Sequence, residues 1–105
     1  MSKTIEYVIA IKRIKDYYGK PIATENQPWY YPCQEYFNDD PIGYVWDSYN
    51  ENTMTFVNEL EASVWWDVLK SSLKPYINGY YDPDSLCIQK RTIMVETETI
   101  KKIQV

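Results

Sequence analysis

The chain has 105 residues, 45% of them hydrophobic and 25% charged, with a formal net charge of −4 and no histidine. This composition fits one folded domain spanning 1–105 with a single modest core, and is too apolar for a disordered chain. The missing histidine removes the commonest neutral-pH base and the commonest metal ligand, and the net charge speaks against direct nucleic-acid binding.

Thr4 to Ile14, "TIEYVIAIKRI", is the clearest strand. Ile5, Tyr7, Ile9 and Ile11 alternate against Glu6, Val8, Ala10 and Lys12. The start of the chain is polar and does not read as a signal peptide. "DYYGKP" at 16–21 is a turn punctuated by Gly19 and Pro21. Residues 22–43 read as irregular, because Pro28, Pro32 and Pro41 interrupt any sustained ladder. Ile42 to Asn50 is a second strand, with Tyr44, Trp46 and Ser48 alternating against Val45, Asp47 and Tyr49. Asn50 to Asn52 turns the chain, and 53–57 is a short return strand or a helix lead-in.

A helix then starts at Asn58, an N-cap with Glu61 three residues on. Leu60, Val64, Trp65, Val68, Leu69 and Leu73 form its apolar stripe, with Trp65 as core anchor and Trp66 at the edge. Pro75 ends it. "YINGYYDPDS" at 76–85 reads as a loop. From Leu86 the chain alternates again, with Cys87, Ile93 and Val95 on one side. A register change near 96–98 makes this one bulged strand or two strands joined tightly. The predicted fold is α+β: a mostly antiparallel sheet of three to five strands with one main helix on one face.

No catalytic signature is present. Cys33 and Cys87, without a histidine partner, read as free thiols packed as small hydrophobes. The three glycines form no phosphate loop, and "DPDS" lacks the spacing of a calcium loop. Asp39-Asp40 reads as a solvated turn. The expectation is a non-enzyme with no cofactor and no metal. The longest apolar run is too short to span a membrane, so a cytoplasmic, host-cell location is expected.

Charge is uneven. Residues 1–20 hold five bases and two acids, and residues 70–105 hold six bases and four acids. Residues 21–69 hold nine acids and no base. Within that block, Gln27 to Asn52 carries eight aromatic rings and five carboxylates. Tyr and Trp give stiff contact area, and carboxylates among them suit a cationic protein surface. The candidate partner-binding residues are Glu35, Asp39, Asp40, Tyr44, Trp46, Asp47, Tyr49 and Glu51. The opposing expectation is that Arg13, Lys15 and Arg91 fold back and neutralise the acids.

The strand "YVIAIKR", the capped aromatic helix "FVNELEASVWWDVL" and the closing segment "KRTIMVET" together resemble small phage and prophage proteins of β–β–α–β type. That group includes anti-CRISPR proteins and other inhibitors of host nucleases. The resemblance covers about 30 residues of strand and helix, leaves the aromatic middle unmatched and carries over no site residue. It implies an inhibitor that evades host defence by nucleic-acid mimicry, its partner a basic host protein such as a CRISPR effector nuclease. Two other readings compete. In one, Trp29, Tyr30, Tyr31 and Trp46 line a sugar pocket, sugars being favoured over nucleotides because the middle has no base. In the other, the chain is a structural or assembly protein, a homodimer formed through an exposed edge strand.

Overall fold

The computed structural model describes residues 5–92 and 97–104. β1 (Ile5–Arg13) is the middle strand of a five-stranded antiparallel sheet. Its alternation explains that place, because it has an apolar set on each face. Ile9 and Ile11 enter the main core, while Val8 and Ala10 enter a smaller cluster with Tyr31 and Cys87. All four β1 residues are fully buried.

The other strands are β2 (Trp29–Phe37), β3 (Asp40–Asp47), β4 (Tyr81–Thr92) and β5 (Thr97–Lys102), in the spatial order β3-β2-β1-β4-β5. The single α-helix among the described residues is α1 (Glu59–Leu73), which covers one face, as an α+β chain requires. The Asn58 side chain accepts from Glu61 N–H at 2.8 Å, as the cap spacing predicts. Lys74–Tyr76 add a 3-10 turn that carries Pro75. The segment from Thr53 to Val57 forms only isolated bridges, Cys33 with Thr53 and Tyr7 with Phe56.

Three expectations are corrected. Residues 22–43 are not irregular, because β2 occupies 29–37 and β3 starts at Asp40. Pro32 survives inside β2 because its carbonyl accepts from Met54 N–H, on the side away from β3. A strand residue aims its N–H and C=O the same way, so the missing donor spares the β2–β3 ladder. Pro41 lies at the start of β3, an edge strand, where a lost donor costs little.

The second correction concerns "DPDS", which lies within β4 rather than in a loop. Between Asp82 and Cys87 the β1–β4 register shifts. Ser85 Oγ fills the gap, accepting from Lys12 N–H at 2.8 Å and donating to Asp82 O at 2.6 Å.

The third is the orientation of α1. Its buried residues are Ala62, Trp66, Leu69 and Leu73, while Leu60, Val64 and Val68 are exposed. Trp65 and Trp66 exchange roles, Trp66 being 6% exposed and central to the core. The helix has apolar residues on two opposite faces, and packing selects between them. Ala62 lets the backbone approach the sheet, and Trp66 buries more area than any valine.

β4 and β5 are two strands, as one of the alternatives from alternation had it. Of the alternation and register change expected over 93–98, residues 93–96 lie outside the described residues, and Thr97 and Glu98 begin β5. Cys33 and Cys87 are free and buried. No helix among the described residues is long and apolar enough to cross a membrane.

Candidate functional site

The β2–β3 hairpin turns through Asn38 and Asp39, both with positive φ (49° and 66°). A two-residue hairpin of this hand needs two left-handed residues, and Asn and Asp tolerate that conformation better than other side chains. Four residues on, the register shifts opposite Glu35, and Gly43 at φ 154° accommodates the bulge. Gln34 Nε2 donates to Gly43 O at 2.9 Å and fastens the two strands there.

This hairpin outruns the rest of the sheet. β1 pairs with β2 only at Trp29 and Tyr30. The last backbone ties to another segment are Met54 N–H to Pro32 O and Gln34 N–H to Asn52 O. Every residue from Glu35 to Ile42 is exposed. Tyr36, Phe37 and Ile42 are 51%, 66% and 57% exposed, and they share the projection with Glu35, Asp39 and Asp40.

The eight candidate residues therefore separate into three groups. Glu35, Asp39 and Asp40 stand together on the projecting hairpin. Glu51 is also exposed, in the turn that hydrogen-bonds back to β2. Trp46 is not a surface anchor: it is 8% exposed and packs between Trp66 and Tyr81. Its indole N–H donates to Leu73 O at 3.0 Å. Tyr44 is half-buried against the same core.

Asp47 and Tyr49 are engaged within the chain. Asp47 is half-buried, and its carboxylate accepts from Ser48 N–H at 2.8 Å and from Asn50 Nδ2 at 3.4 Å. Tyr49 lies across the opposite face of the sheet. It donates to Glu6 Oε1, meets Tyr31 edge-on, and carries the Arg91 guanidinium 3.4 Å from its ring centroid. Burial, then the Glu6 bond, raises the Tyr49 phenol above its ordinary pKa. Tyr36, Phe37 and Ile42 were missed by sequence reasoning. The signal for them was Asn38-Asp39 between two β-rich runs, a turn pair that fixes where the hairpin tip falls.

Among the described residues the acids of the hairpin form no ion pair. Among the described residues the one ion pair is Lys70–Asp67 at 3.1 Å, an exposed helix pair. Arg13 and Lys15 lie against tyrosine rings, and Arg91 lies on Tyr49. The fold-back expectation fails for these bases because aromatic faces, not carboxylates, receive them.

Burial raises the Cys33 and Cys87 thiols, which disfavours the nucleophilic thiolate. Among the described residues no group of three His, Cys, Asp or Glu side chains could hold a metal ion. The four rings expected to share a sugar pocket do not converge. Tyr30 and Trp46 join the helix-side core, while Tyr31 and Trp29 join the cluster on the other face.

The chain matches no family model, no curated protein and no solved structure.

Proposed function

We propose that this chain is a non-enzymatic protein-binding protein whose β2–β3 hairpin enters a basic surface on its partner. The observation that carries this reading is the run from Glu35 to Ile42. It projects beyond the sheet and is exposed throughout, with rings and unpaired carboxylates together. A two-stranded arm is about 5 Å between strand axes, and from Gln34 to Phe37 it extends about 10 Å. An arm of that width enters a channel built for nucleic acid. Glu35, Asp39 and Asp40 then meet the cations that would hold phosphates, and Tyr36 and Phe37 stack on guanidinium groups.

Such a partner is a nucleic-acid enzyme, and the phage-type resemblance of the outer strands and helix favours a host CRISPR effector nuclease. In this reading the protein evades host defence by occupying the channel in place of DNA or RNA. The refined contact set is Glu35, Tyr36, Phe37, Asp39, Asp40 and Ile42, with Glu51 at its margin. Trp46 is left to the core.

The test is a cleavage assay on a panel of purified effector nucleases. The wild-type chain is expected to inhibit one of them, and inhibition should weaken at least tenfold between about 0.05 M and about 0.5 M salt. The triple variant Glu35→Gln, Asp39→Asn, Asp40→Asn removes charge while keeping shape, since Asn suits the left-handed position 39. It should lose most inhibition with its thermal stability unchanged. Full inhibition by this variant, or inhibition indifferent to salt, rejects the mechanism.

A further inference from the structure

Arg13, the last residue of β1, lies among four tyrosine rings. Its guanidinium carbon lies 5.0, 5.3, 5.6 and 5.5 Å from the ring centroids of Tyr17, Tyr30, Tyr80 and Tyr81. Nε donates to Lys15 O at 2.6 Å and Nη1 to Tyr81 Oη at 3.3 Å. Those bonds fix the guanidinium plane and use two of its five donors. Lys15 Nζ lies 5.9 Å from the Tyr80 ring, so a second positive charge stands nearby. No carboxylate among the described residues is within ion-pair distance of either base. Asp16, next in the chain, instead accepts the backbone N–H groups of Tyr18 and Lys20.

Arg13 also lines a cavity of about 740 Å³ between β3 and the C-terminal end of α1. That size lies within the range of small-molecule sites. Trp46 and Tyr81 are buried at its base, and Tyr44, Ser72 and Tyr76 add rings and a hydroxyl to its walls. The middle of the chain supplies the aromatic walls but no base, which had argued against a nucleotide. Folding removes that objection by bringing Arg13 to them from β1.

We infer that this cleft binds a small ligand that joins a flat ring to one anionic group, a carboxylate or a phosphate. Glu35 also lines the cleft, beyond ion-pair distance of Arg13, and the anion takes the free donors of Arg13 as a charge-assisted pair. The ring takes the aromatic wall. This goes beyond the hairpin reading and stands without it.

Two-dimensional amide and indole NMR on the wild-type chain tests the inference, with AMP and indole-3-acetate as charged probes and adenosine as a neutral one. At least one charged probe should shift the Trp46 indole and Arg13 Nε–H signals saturably, with Kd below about 1 mM. Which of the two binds separates a phosphate source from a carboxylate source. Arg13→Gln should weaken that probe about tenfold or more while adenosine binds both proteins alike. Ser72→Trp, at an exposed helix position, should block the cleft and keeps the test decisive if Arg13→Gln does not fold. Three results each overturn the inference: no saturable shift from either charged probe, undiminished binding to Ser72→Trp, or shifts confined to Lys12, Trp29 and Lys102, which line a separate cavity of about 320 Å³.

Discussion

Trp46 was a natural choice for a surface anchor, and its actual position shows what strand alternation can and cannot tell. Alternation correctly placed Tyr44 and Trp46 on one side of β3, since side chains change face at every residue. It could not say which side faces the helix. That depends on α1, whose last-turn carbonyl at Leu73 needs a donor and receives the Trp46 indole N–H at 3.0 Å. Trp46→Phe keeps most of the ring but leaves that carbonyl unpaired, and should cost about 1–3 kcal/mol in urea unfolding. Trp46→Ala also opens a cavity and should cost about 3–5 kcal/mol. A Phe variant as stable as wild type would mean that the bond contributes nothing.

At the level of elements, the helix offers a sharper comparison. Val64 is exposed and Trp66 is buried, although spacing alone favoured Val64 as core. Val64→Lys should therefore change stability by less than about 0.5 kcal/mol, while Trp66→Ala should cost about 3–5 kcal/mol. The reverse order, measured by chemical denaturation, would show that the helix is turned the other way. The cap and the end of α1 were legible because Asn58, Glu61 and Pro75 act locally. The inward face was not, because two apolar stripes compete and only the sheet decides between them. The β2–β3 hairpin hid behind its prolines for a similar reason. Pro32 and Pro41 break strands in isolation, but whether a missing N–H matters depends on what lies beside it, and that is a tertiary fact.

For the whole molecule, the segment charges told where the acids would be but not what would meet the bases. Arg13, Lys15 and Arg91 go to tyrosines, which explains much of the tyrosine excess: rings serve as counterparts to cations here as well as core. The buried Tyr31 and Tyr81, the half-buried Tyr30 and the two thiols give stability a distinct pH signature. Burial is the largest cause raising Tyr30, Tyr31, Tyr81, Cys33 and Cys87 in the folded state. A raised acid is held neutral by folding, so its contribution is complete below the ordinary value, 9.0 for Cys and 10.0 for Tyr. It is lost as pH climbs through the higher folded values. Calorimetry should find a level Tm from neutral pH to about pH 9 and a steepening fall beyond it. A Tm unmoved at about pH 11 would contradict the burial of these groups.

Both margins of the sheet bear on how copies of this chain behave in company. β3 has Pro41 and a kink at Gly43, and β5 shows Glu98, Lys101 and Lys102 to water. A neighbour trying to dock backbone to backbone meets a broken comb on one flank and a row of hydrated charges on the other. Each flank thus offers a poor template for extending the sheet into a ribbon.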